Sequence, residues 1–223
     1  MPTKPLVSAL LAEGKTDRVL LPILNWLLKE CAPEGVFVGR TVFIEPILMQ
    51  GTPKALTKRI PRALSEQSCD LLFVHRDGDV EGNVTVQEAH LRRVKEVRAV
   101  CDVAHVPPVV CVVPVQETEA WYLLDQQALR NAVGFPKSTT PLGLPKISEI
   151  EKERDAKNSL NQALTAATGY KDARRAQFEK GERLRCFYEL ENTPMDYNAL
   201  RALPAFGKLE SELRDTLARF ATP

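Results

Sequence analysis

Four short strand-like segments, residues 6–12, 42–49, 71–74 and 109–115, punctuate the first half of the chain, and helical periodicity fills the stretches between them. The segments are apolar almost throughout rather than alternating, the pattern of strands buried on both faces. Strands of that kind separated by helices predict an α/β fold, a mostly parallel sheet flanked by helices. Val19, Leu20, Ile23, Leu24, Leu27 and Leu28 mark the first helix, and Pro22 within it predicts a late start or a kink. Pro53, after a turn at Gly51, sits where a second helix begins. Thr85 with Glu88 forms a capping box for a third, which carries Val94, Val97 and Cys101.

The pattern changes after Asp125. Residues 134–146 are rich in Pro, Gly, Ser and Thr and read as a linker. Ser148 with Glu151 looks like another capping box, and helices are expected over about 157–168, stopped by Gly169, then 178–190 and 206–220. The expected organisation is an α/β core over 1–133, a linker over 134–146 and a helical portion over 147–223. Net charge is +1, so any contact with nucleic acid must come from local patches. The five cysteines form no C-x-x-C pair, which argues against zinc sites and disulfide frameworks. No signal-peptide pattern and no membrane-length apolar run is present, so a cytoplasmic location without membrane association is the expectation.

Ligands of open parallel sheets bind beyond the carboxyl ends of the strands. Three of the expected strands end in acids: Glu13 after the first, Asp77 and Asp79 after the third, Glu117 and Glu119 after the fourth. Asp77 and Asp79 are two apart and point the same way in extended chain, with Glu81 continuing the spacing. Carboxylates crowded in this way repel unless a cation or proton intervenes, and hard oxygen donors suit Mg2+ or Mn2+. Glu13, Asp77 and Asp79 are therefore the expected centre of a metal site. Glu119 is either a further ligand or a complement to a helix N-terminus, and Glu81 or Glu117 is an alternative completion. His75, next to the cluster, reads as structural. Gly14-Lys15-Thr16 is not the end of a phosphate-binding Walker A loop, because position 9 is alanine rather than glycine.

Lys54, Lys58, Arg59 and Arg62 follow the Gly51 turn with no acid among them, and on a helix positions 54, 58 and 62 share a face. Lys54, Lys58 and Arg62 are the expected substrate contacts, Lys54 foremost because its turn should lie at the active edge. Two further basic runs, 92–98 and 171–185, can also neutralise phosphates. Trp121 is expected to anchor its helix in the core, not to stack on bases, since Tyr122, Leu123 and Leu124 continue the apolar run.

The strand-end Glu13-Gly14 and the Asp77-x-Asp79 pair resemble the Toprim domain of topoisomerases, primases and OLD nucleases. The chain is most similar to small bacterial Toprim-like proteins encoded near ATPases in defence loci, through Glu13-Gly14-x-Thr16-Asp17 and Glu117-Thr118-Glu119-Ala120-Trp121. The segments Asp155-Ala156-Lys157 and Leu203-Pro204-Ala205-Phe206 extend the likeness. The resemblance implies that Asp77 and Asp79 hold the metal and that Glu13 is a general acid or base. It implies a metal-dependent nuclease, an effector of a bacterial defence or mobile-element module, with a possible ATPase partner. A regulatory subunit without activity and a metal-dependent small-molecule phosphohydrolase are the competing expectations, and the choice between DNA and RNA stays open.

Overall fold

A computed structural model describes residues 4–78, 82, 84–101 and 106–221. It contains four parallel strands, β1 (Ser8–Leu11), β2 (Val42–Phe43), β3 (Leu71–His75) and β4 (Val109–Val112), in the order β2-β1-β3-β4. Helix α1 (Leu20–Cys31) joins β1 to β2, α2 (Leu56–Glu66) joins β2 to β3, and α3 (Val86–Cys101) lies between β3 and β4. The remainder is helical: α4 (Gln126–Ala132), α5 (Ile147–Ile150), α6 (Ala156–Thr168), α7 (Asp172–Gln177), α8 (Arg183–Glu189) and α9 (Pro204–Leu217). Among the described residues no helix is long and apolar enough to cross a membrane.

The strands are apolar throughout because both faces are covered. Successive side chains point to opposite faces, so Leu10, Phe73, Val110 and Val112 join one apolar cluster while Ala9, Leu11, Leu72, Val74 and Cys111 join the other. The first cluster takes in α1 and residues of α6, α8 and α9; the second takes in α2 and Val97 of α3. The chain moves to one side of β1 to make β2, then back across it to make β3. Right-handed crossovers in opposite directions put their helices on opposite faces, as α1 and α2 are. The strand order thus reverses between β1 and β3, and a crevice at such a reversal is where α/β sheets bind ligands.

The helices beyond residue 146 pack on the sheet. Phe206 of α9 meets Trp121 edge-on at 5.3 Å between ring centroids, and Trp121 is 1% exposed, the anchor its flanking residues predict. Glu212 of α9 accepts a hydrogen bond from the Cys111 backbone N–H at 2.9 Å. It thereby occupies a donor that an edge strand such as β4 would otherwise expose. Residues 134–146 form no helix or strand, although Leu142 is buried.

Several local expectations hold and several shift. The first helix starts late, after a 3-10 turn at Lys15–Val19, so Pro22 falls in its first turn, where an N–H has no helical acceptor. The Thr85–Glu88 box forms in both directions, at 2.8 and 3.2 Å, and Gly169 stops α6 in the left-handed conformation. The second strand is only Val42–Phe43, because Pro46 lacks a donor and starts a 3-10 turn, Pro46–Met49. Ser148 is not a cap: it lies inside α5. Its expected partner Glu151 caps α9 instead, accepting from the Ala205 N–H at 2.8 Å.

Candidate functional site

The carboxyl ends of β1 and β3 face each other across the reversal of strand order. After β1, the Gly14 N–H donates to Asp17 at 2.8 Å, and this closes the 3-10 turn that carries the chain away. The same Asp17 carboxylate lies 3.2 Å from Nδ1 of His75, the last residue of β3. Nε2 of His75 lies 3.0 Å from the Thr118 hydroxyl and 3.4 Å from Asp77 Oδ1. The two carboxylates thus flank the ring, one at each nitrogen. Burial of His75 alone would lower its pKa. Asp17 and Asp77 outweigh that and raise it to about 10, so the ring is an imidazolium at neutral pH. Burial would likewise push Asp17 up, but His75 and the Gly14 N–H hold it below its ordinary value. His75 is therefore structural, as expected: a buried cation that fixes one carboxylate from each strand end.

Glu13 points away from this stack and pairs with Arg76 Nε. Arg76 also lies 3.6 Å from Glu96 of α3. Arg59 of α2 donates to the Ala12 carbonyl at 2.7 Å. Its half-buried guanidinium is held below the usual arginine value by desolvation, with Glu13 opposing and Arg76 adding to the effect. Glu13, Lys54, Arg59 and Arg76 line one cleft of about 290 Å3, with Met49 beside them. Three cations and one carboxylate thus share this cleft.

The end of β4 is laced to Asp77. The Gly78 N–H donates to the Gln116 carbonyl at 2.9 Å. A Cβ at Gly78 would stand 2.8 Å from Gln116 N and 2.9 Å from Pro114 O, so only glycine permits this approach. Gln116 takes φ +65°. The next residue, Glu117, accepts from the Lys157 N–H at 2.9 Å and so caps α6. Glu119 is raised to about 7, first by burial, then by Glu117 and Asp77.

The structure thus brings Glu13, Asp77 and Glu119 to one edge. Asp79 and Glu81 lie outside the described residues, and among the described residues no three of His, Cys, Asp and Glu are placed to share an ion. Of the expected substrate contacts, Lys54 lines the cleft, whereas Lys58 does not. Arg62 turns to Glu66, at 2.6 Å, and to the Leu48 carbonyl. Lys54 does not share a helical face with Lys58 and Arg62, because α2 begins at Leu56 and leaves Lys54 before the helix. Arg59 and Arg76 take the places expected of Lys58 and Arg62. Alternation along β3 is the one signal for Arg76: it points opposite to His75 and Asp77, toward Glu13. Comparisons with protein-family models, with curated proteins and with solved structures find no match for this chain.

Proposed function

We propose that the protein is a metal-dependent nuclease that hydrolyses phosphodiester bonds at the β1/β3 edge. The observation that carries the reading is the juxtaposition of strand-end carboxylates with a cleft lined by Lys54, Arg59 and Arg76. Carboxylates suit a hard cation, cations suit a phosphate, and phosphodiester hydrolysis needs both.

Asp77 turns Oδ1 to His75 while its side chain remains 29% exposed, and Glu119 is protonated more readily than an ordinary glutamate. Both fit oxygen donors that a divalent cation would stabilise. Asp77, with Asp79 as the resemblance implies and Glu119 beside them, would hold Mg2+ or Mn2+. Such an ion lowers the pKa of water and neutralises charge at the transferring phosphorus. The chain's own cations do the remaining electrostatic work: Lys54, Arg59 and Arg76 bind and orient the scissile phosphate. An incoming phosphate competes for Arg76, and Glu13, released from its partner, takes the proton of the attacking nucleophile. The charged His75 fixes Asp77 from behind. The Toprim resemblance supports the same assignment and extends it to an effector in a bacterial defence or mobile-element module, working with an ATPase encoded beside it.

The Glu13–Arg76 pair itself favours a second reading, a regulatory subunit that binds nucleic acid at the cleft without cutting it, since a carboxylate neutralised by arginine is a poor base. Incubation with DNA and RNA in Mn2+, alone and with a neighbouring ATPase, separates the two. The nuclease reading expects cleavage that disappears in folded Glu13→Gln and Asp77→Asn variants. Binding without cleavage supports the regulatory reading, and cleavage that survives both substitutions places the activity elsewhere.

A further inference from the structure

A second cavity, of about 620 Å3, opens between the first turns of α3, helix α5 and the start of α9. It shares no lining residue with the cationic cleft. Its walls are largely apolar: Val115, Ile147, Leu203, Pro204 and Ala205. Into this apolar setting two side chains bring acceptors.

His90 is 7% exposed, and its Nδ1 lies 3.3 Å from the Val113 carbonyl. A carbonyl only accepts, so Nδ1 carries the proton. Burial, and then Lys208, lower the pKa of the ring, which leaves it neutral with a bare lone pair on Nε2. Among the described residues nothing donates to Nε2. Glu151 uses Oε1 to cap α9, and its other oxygen is the second acceptor. Both side chains line the cavity, so a ligand that supplies N–H groups can pair with these two acceptors while its body meets the apolar wall. The apolar walls ask for a flat, weakly polar body, and Lys208 among the lining residues offers a cation to any attached phosphate.

The location narrows the ligand class. Val115 is two residues before Glu117, hence no more than about 7 Å along the chain from the acidic edge. A ring held here would belong to a strand whose phosphodiester lies at that edge.

We propose that this cavity is a nucleobase pocket, which takes an unpaired base through N–H groups donated to His90 Nε2 and Glu151. The substrate class is then nucleic acid with a single-stranded or extruded base, because a paired base has these edges occupied. The pocket stands on its own geometry; the choice of a nucleobase over other N–H heterocycles rests on the nuclease reading.

The test is a titration of the full chain, without metal, with adenosine, guanosine, cytidine and uridine, followed by calorimetry or by amide chemical shifts. At least one nucleoside with an exocyclic amino group should bind with Kd below about 1 mM. Ile147→Trp, a change at an exposed residue of the mouth, should weaken that binding by at least about tenfold with an unchanged melting curve. His90→Leu should weaken it similarly, and His90→Gln, which keeps an acceptor, less. Failure of all four nucleosides to bind at millimolar concentration, or undiminished binding by Ile147→Trp, overturns the pocket. Nucleoside binding in a protein that cuts nothing keeps the pocket and removes the nuclease reading. Cleavage without nucleoside binding does the reverse.

Discussion

Glu13 and Glu117 follow parallel strands of one sheet, yet their surroundings put them to different use. The Glu13 side chain is 34% exposed and among the described residues its carboxylate meets side chains, Arg76 by contact and Arg59 by charge, in a cleft open to solvent. Glu117 meets backbone: the N-terminus of α6 lies opposite it, and the Lys157 N–H fixes it. A carboxylate that caps a helix answers a fixed demand for an acceptor. One held by an arginine side chain can be exchanged, because a competing anion offers arginine an equivalent partner. The β4 end is therefore a built corner and the β1 end an adjustable site. Glu119 stands between them, on the built corner but raised to about 7 by burial and by its acidic neighbours.

Substitutions sharpen this contrast, beginning with the corner. Trp121→Ala removes the side chain that Phe206 packs against and should lower stability by about 3–5 kcal/mol, read from denaturant melts. A smaller loss would mean that the corner is softer than its burial implies. Next in size is His75, which joins the two ends. His75→Leu leaves Asp17 and Asp77 without their shared cation and should cost about 2–3 kcal/mol at pH 6. The folded pKa of about 10 lies above the unfolded value. The stabilisation is thus complete below an unfolded pKa of about 6.5 and is lost as pH rises toward 10. Melts of the metal-free protein should show the difference between wild type and His75→Leu shrink over that range; a constant difference would rule out a charged ring. Glu117→Ala should cost about 1 kcal/mol, the ordinary value of a helix cap, with little effect on anion binding. Arg76→Gln should change stability by less than about 1 kcal/mol, since the pair is partly exposed. It should nevertheless weaken phosphate binding in a calorimetric titration, whereas equal binding would remove Arg76 from the site.

Much of this was legible in the sequence because it depends on local pattern. Unbroken apolar strands gave the covered parallel sheet, and acids after the strands gave the edge on which Glu13, Asp77 and Glu119 lie. The Thr85–Glu88 box and the Gly169 stop are contained within a few residues and form as read. What local pattern did not disclose are partners distant in the chain. Glu117 and Glu151 cap helices that begin 39 and 53 residues later, at Ala156 and Pro204. No spacing rule reaches that far. Lys54 lines the cleft without Lys58 and Arg62 because α2 starts at Leu56, three residues after Pro53, and so leaves Lys54 off the helix that carries the other two. Arg76 was hidden by its neighbours: flanked by His75 and Asp77, it reads as part of their cluster, although strand alternation sends it to Glu13.

The most direct test of the central claim, that the β1/β3 edge is an adjustable carboxylate site completed by a cation and a phosphate, is Mn2+ binding followed by the free-ion EPR signal. Wild type and Asp77→Asn would be titrated with and without a single-stranded phosphorothioate oligonucleotide. The account predicts that wild type binds Mn2+, that the oligonucleotide tightens binding at least about fivefold by drawing Arg76 from Glu13 and adding a ligand, and that Asp77→Asn binds in neither condition. No binding by wild type with the oligonucleotide present, or equal binding by Asp77→Asn, would contradict it.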